Sequence, residues 1–286
     1  DNVAVGYNSL AGSIAGGEFN VAVGNSTLVA LTSGDNNVAI GFEALKAETS
    51  GYNNVAIGYQ AALASNQATN NTIIGRNAGD SITSGSNHVF VGSQAGDGFD
   101  TESHNMGIGV GALGGSVAGG EFNVAIGNYT LDALTSGDYN TAIGYQAGTA
   151  LTTGAENVII GASAGAALTE GNNNVFVGRD AGAANTTAGN NTFIGERAGQ
   201  NNTIGDESVA IGQAALLANT EGTDNVAVGR SALASNTTAS FNIAIGRAAL
   251  EANTTGANNI GIGRLAYDGA DTENHNLAIG TSALGG

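Results

Sequence analysis

Two short acidic runs hold the densest chemistry in the chain. Asp97-Gly98-Phe99-Asp100-Thr101-Glu102-Ser103-His104 and Asp268-Gly269-Ala270-Asp271-Thr272-Glu273-Asn274-His275 each set three carboxylates within six residues. A Ca²⁺ ion takes roughly six to eight oxygens, so Asp97, Asp100, Glu102, Asp268, Asp271 and Glu273 are the candidate calcium ligands. The spacing is neither that of an EF-hand nor that of a Gly-rich calcium repeat. The plain alternative is a polar turn in which Asp caps its own backbone. A second candidate is a set of arginines: Arg230, Arg247 and Arg264 recur at a fixed 17-residue step, and Arg76 and Arg179 hold the same place elsewhere. Stacked like charges are unfavourable unless carboxylates interleave, which makes Glu251 or an acid on a neighbouring chain the expected partner and ligand contact the alternative. The histidines, His88, His104 and His275, have no metal-ligand spacing. No defensible Ser-His-Asp set or Gly-Lys-Ser/Thr phosphate loop occurs.

What positions these residues is a short stretch that recurs from end to end. Asn37-Val38-Ala39-Ile40-Gly41 and its variants occur 17 times, starting at residues 2, 20, 37, 54, 71, 88, 105, 123, 140, 157, 174, 191, 208, 225, 242, 259 and 276. The step is 17 residues, and 18 after residues 2 and 105. A short period held without a break is the signature of a solenoid, here an all-β parallel β-solenoid or β-roll. The chain starts and stops inside the repeat, so residues 1–286 are expected to form one continuous segment of a longer protein. Parallel stacking at about 4.8 Å per coil predicts a rod on the order of 80 Å long.

Numbering each coil from its first Asn, position 1 is Asn in all coils but two (His88 and Ser208), position 4 is Ile or Val throughout, and position 5 is always Gly. Positions 2 and 4 share a strand face and are mostly β-branched, so the pattern predicts a strand over positions 1–5 with 2 and 4 facing inward. Asn stacked on Asn predicts an amide ladder. The fixed Gly implies either a positive φ or a backbone passing too close for a Cβ. Position 8 is small. Position 9 compensates position 3: bulky Ile73, Phe90, Ile159, Phe176 and Phe193 go with Gly79, Gly96, Gly165, Gly182 and Gly199, whereas small Ala39 goes with Leu45. Close packing then requires positions 3 and 9 to touch. Because position 3 is apolar as well, the strand is apolar on both faces, and the second face is expected to meet another subunit or a strand folded across it. Thr-Ser/Thr-Gly at positions 13–15 supplies turn chemistry, with two short extended segments expected per coil.

These residues resemble a family. Asn36-Asn37-Val38-Ala39-Ile40-Gly41 and Asn53-Asn54-Val55-Ala56-Ile57-Gly58, followed by the small Ala44 and Ala61, are similar to the head repeats of trimeric autotransporter adhesins, and similar repeats occur in phage tail-fibre shafts and large bacterial surface proteins. The family implies a left-handed parallel β-roll, three chains around an axis, and surface attachment. Its coil is usually shorter than the 17 residues here, a departure that bears on the cross-section and on the number of chains around the axis.

A longer repeat overlies the short one. Residues 2–31 resemble 105–134, and 96–115 resemble 267–286, placing super-repeat boundaries near 104 and 275. Each 18-residue coil is expected to carry a bulge or wider turn. The net charge of −17, with only 7 Lys plus Arg, argues against a nucleic-acid partner. No apolar run is long enough for a membrane span. The expectation is therefore an extracellular or cell-surface structural and adhesive fibre segment, not an enzyme, self-associating as a homo-oligomer with a trimer first, and meeting an unidentified receptor. The alternatives are a phage tail-fibre shaft and an ice- or polysaccharide-binding solenoid. The Thr column at position 13 raises ice binding, but no parallel second Thr column accompanies it. A solenoid lyase would need clustered Asp, Lys and Arg in a groove.

Overall fold

A computed structural model describes residues 1–116, 119–269 and 272–285. The chain forms two compact units, Asp1–Tyr139 and Asn140–Gly286. The first carries eight three-residue strands, β1 (Val3–Val5) through β8 (Val124–Ile126), and the second nine, β9 (Thr141–Ile143) through β17 (Leu277–Ile279). Within each unit every strand pairs parallel with the next, in the register set by the repeat: Val38 opposes Val55, and Val226 opposes Ile243. Each unit is thus a parallel β-solenoid, and the described residues contain no helix.

The strand is narrower than the sequence pattern predicts, covering positions 2–4 only. Its orientation is also the reverse. Position 3 faces the interior: Ala39, Ala56, Phe90 and Phe193 are fully buried. Positions 2 and 4 face outward, with Ile40 37% and Ile211 39% exposed. The reason is space. The lumen of so short a coil admits one side chain per strand, matched to what positions 8, 9 and 12 supply, so the β-branched pair is left outside. The remainder of each coil is turns rather than a second strand. Those turns still bond from coil to coil. Glu43 N–H meets Asn25 O at 2.9 Å, Leu45 N–H meets Ala61 O at 3.1 Å, and Thr32 N–H meets Thr49 O at 2.8 Å. Backbone groups all around the coil are thereby paired, which a structure this thin requires.

The inferred contact between positions 3 and 9 is present. A Cβ on Gly182 would lie 2.8 Å from the Phe176 ring, and one on Gly199 would overlap Phe193. Gly is not needed there for its dihedral. The same left-handed backbone is held by Leu45 (φ 48°) and Leu250 (φ 53°) as by Gly199 (φ 55°), so the exchange of Leu for Gly answers volume alone. The Gly at position 5 meets both expected demands. Gly41 has φ 133°, and a Cβ on it would overlap the carbonyl oxygen of Gly58 in the next coil. In the first coil the eighteenth residue is taken up by a tight turn, Ile14 N–H to Gly12 O at 3.0 Å, after which Ala15 N–H regains register on Thr32 O at 2.8 Å. In the coil 105–122 the corresponding region includes residues 117 and 118, outside those described.

Candidate functional site

The side chains that repeat in every coil are spent on holding the coils together. Asn37 is fully buried. Its Nδ2 donates to Asn20 Oδ1 at 3.1 Å and to Gly51 O at 2.8 Å, while its backbone N–H also donates to Asn20 Oδ1 at 2.9 Å. The ladder therefore clamps the turn at position 15 as well as the neighbouring coil. Sequence reasoning missed a second ladder at position 12, where Asn185, Asn202, Asn219, Asn236 and Asn253 recur every 17 residues and are buried. Asn219 Nδ2 donates to Asn202 Oδ1 at 2.6 Å, and Asn236 Nδ2 donates to Asn219 Oδ1 at 2.8 Å. The 17-residue recurrence of Asn was the signal for it. The Thr column is committed too: Thr169 and Thr203 hydroxyls donate to the carbonyls of Thr186 and Thr220 at 3.0 and 2.8 Å.

Position 12 also holds the one fully buried carboxylate among the described residues, Glu48. It accepts from Gly51 N–H at 2.6 Å, Gln67 N–H at 2.8 Å and Ser65 Oγ at 3.0 Å, so it too serves the turns.

The acidic run at 97–102 splits in two. Glu102 Oε2 accepts from the backbone N–H groups of Asp100 and Thr101 at 3.0 and 3.2 Å, and Asp100 Oδ1 accepts from the Thr83 hydroxyl. Asp97 faces away from them, toward Asp80 and Asp132, into an opening of about 230 Å³ that Gly111, Gly114 and Tyr129 also line. Its Oδ1 is buried with no hydrogen-bond partner. Burial, with Asp80 and then Asp132 as further causes, pushes the Asp97 carboxyl up to about 6, and burial raises Asp132 as well. In the second run Glu273 Oε2 accepts from Thr272 N–H at 3.2 Å. Asp268 Oδ1 lies 2.6 Å from where a Cβ on Gly285 would stand, and Asp271 is outside the described residues. Among the described residues no three His, Cys, Asp or Glu side chains gather as a metal site.

His88 and His104 differ sharply. His88 is fully buried, with its ring stacked on Phe90 (centroids 4.7 Å apart), and burial pushes its imidazole down to about 4. His104 lies at the surface, stacked on Phe122 at 4.8 Å, and Phe122 stacks on Tyr139 at 5.1 Å. Phe42 and Tyr59 form a similar exposed pair, 5.3 Å apart. Arg179 pairs with Glu196 and Asp180, whereas Arg230, Arg247 and Arg264 are exposed and, among the described residues, form no ion pair with Glu251 or with any other acid.

The surface feature common to both units is the outward face of the strands. Ile40, Ile194, Ile211, Ile245 and Ile262 are 36–40% exposed, and the position 2 side chains beside them are half-buried. Among the described residues no helix is long and apolar enough to cross a membrane. No protein-family model matches the chain, and no curated protein matches it.

Proposed function

We propose that the chain is a structural and adhesive segment of an extracellular fibre, assembled side by side with further copies of itself through the outward face of its strands. The observation that carries this is the aliphatic band at positions 2 and 4. It repeats coil after coil within each unit, and a row of water-exposed Ile and Val favours burial against a partner. A second copy is the partner whose own repeat is commensurate at every coil. A three-chain arrangement follows the resemblance of the Asn-Val-Ala-Ile-Gly coils to adhesin heads. The role is mechanical: stacked hydrogen bonds and amide ladders resist bending, and the fibre presents its surface to whatever it attaches to. Catalysis has no part in it.

Light scattering on the folded chain tests the assembly, together with a variant carrying Ile40→Asp, Ile211→Asp and Ile245→Asp. A mass of several chains that falls to one chain in the variant supports the assignment. A wild-type chain that stays folded and monomeric at high concentration overturns it.

A further inference from the structure

The arginine column in residues 140–286 is a charged surface that neither the fold nor the assembly uses. Arg230, Arg247 and Arg264 each follow the glycine just past a strand. The parallel register of Val228 on Ile245 and Ile245 on Ile262 sets them one above another, about 4.8 Å apart. All three are exposed, and among the described residues none has a carboxylate within 4.0 Å. The same column shows the alternative three coils earlier: Arg179 is paired with Glu196, which also accepts from Gln213 Nε2 at 3.2 Å. So three of the chain's seven cations, in a chain of net charge −17, are gathered unpaired where they repel one another. An array like that is relieved by a ligand with a matching row of anions.

We infer that Arg230, Arg247 and Arg264 form a binding site for an anionic polysaccharide bearing carboxylate or sulfate groups. Guanidinium is suited to both, through paired N–H donors. The geometry favours a glycan over other polyanions. One sugar residue of an extended chain spans about the distance of one coil, so one charge per residue meets one arginine per coil. An acidic polypeptide in extended form repeats a side chain on the same face only every ~6.6 Å, out of step with the column. Single-stranded nucleic acid needs aromatic platforms, and positions 2, 4, 6 and 7 of these coils carry none. A duplex needs a broad basic surface rather than one column. Beside the arginines lies the half-buried Leu265, at position 7 and outside the aliphatic band of positions 2 and 4, an apolar flank suited to the C–H faces of sugars. Gln213 and Thr281 extend the column at either end with neutral hydrogen-bonding groups.

The inference deepens the attachment part of the proposed function and makes no use of the assembly part. Calorimetric titration of the whole chain with polygalacturonate, dextran sulfate and neutral dextran tests it, with polyglutamate and oligothymidylate as competing polyanions. The variants are the triple Arg230→Gln, Arg247→Gln, Arg264→Gln and, as control, Arg179→Gln. The expected result is binding to one or both anionic glycans, weakened by added salt, lost by about tenfold or more in the triple variant and kept in the control. Neutral dextran does not bind, and which glycan binds separates carboxylate from sulfate. Three results overturn the inference: no binding to either anionic glycan at low salt, equal binding by the triple variant, or equally tight binding of polyglutamate or oligothymidylate. Circular dichroism and the light-scattering mass of the same samples report folding and assembly separately, so a failure here leaves the assembly proposal standing.

Discussion

His88 stands in for an asparagine against Asn105. Its Nδ1 accepts the Asn105 backbone N–H at 3.3 Å, and its Nε2 meets Glu102 O at 2.8 Å. These are the acceptor and donor roles that Oδ1 and Nδ2 play in the other coils, where Asn54 Nδ2 donates to Ala68 O and Asn54 Oδ1 accepts from Asn71 N–H. The mimicry requires a neutral ring: a proton on Nδ1 would point at the N–H of Asn105. Burial pushes the imidazole from the ordinary 6.5 to about 4. Below 6.5 the unfolded chain takes up a proton that the folded chain refuses, so stability is lost as pH falls from about 6.5 toward 4, on the order of 2–3 kcal/mol. His88→Asn removes that loss. Hydrogen exchange in residues 71–122, followed from neutral pH down to about 4, should show the wild type loosening and the variant holding its protection over the pH range of the imidazole shift.

Asp97 runs the other way in the same coil. Its folded carboxyl titrates at about 6, above the ordinary 3.8, so the folded chain keeps a proton that the unfolded chain has released. Stability from this group is greatest at acid pH and is lost as pH rises from about 4 to 6, by on the order of 1–2 kcal/mol after allowance for its partial exposure. Asp97→Asn keeps the shape, gives Asp132 a donor and should raise stability at neutral pH. Because the two slopes oppose each other between about pH 4 and 6, the wild type should lose stability toward acid more gently than His88 alone dictates, and Asp97→Asn should fall more steeply. A flat Asp97→Asn profile would show that His88 does not titrate as described.

The exchange of volume between Phe193 and Gly199 is a third test. Phe193→Ala empties part of the lumen and should cost about 3–5 kcal/mol. Gly199→Leu alone overlaps the Phe193 ring and should cost about 1–3 kcal/mol or more. The double variant rebuilds what the next coil already has, Ala210 with Leu216, both fully buried. It should return to within about 1.5 kcal/mol of wild type, a coupling that a double-mutant cycle in denaturant measures.

That coupling was legible in the sequence because it is a correlation between two positions repeated through the coils. The Asn ladder, the reason for the invariant Gly and the parallel register were legible for the same cause: a repeat lets each position be read many times. Which face of the strand is buried was not legible, because Val and Ile at positions 2 and 4 carry the usual mark of a core. Only the closure of the coil around position 3 shows that the lumen has no room for them. The split of Asp97 from Asp100 and Glu102 was hidden as well. Three acids close in sequence lie along the coil's circumference and point in different directions, and Asp97 meets Asp80 and Asp132 from other coils instead. The unpaired state of Arg230, Arg247 and Arg264 depended on where Glu251 lies, which the sequence left open.

The ladder at position 12 separates two kinds of buried amide. Asn219 is fully used: its Nδ2 donates to Asn202 Oδ1 and to Gly222 O at 2.9 Å, and its Oδ1 accepts from Asn236. Asn185, at the start of the ladder, is equally buried, yet neither its Oδ1 nor its Nδ2 has a partner. One coil earlier the same position holds Leu168, fully buried beside a Gly at position 9, as Asn185 is beside Gly182. An apolar side chain of similar size therefore fits the lumen at this point. Asn185→Leu removes two unsatisfied polar atoms and should stabilise the coil by about 1–3 kcal/mol. Asn219→Leu should do the reverse, because it strands Asn202 Oδ1 and Gly222 O in a dry interior and leaves Asn236 Nδ2 with its Ala239 O bond alone. Opposite signs for one substitution at two positions of one column, measured by thermal and denaturant unfolding, would show that the ladder stabilises through its continuity rather than through the amide itself. The same sign at both positions would show that residue type alone decides.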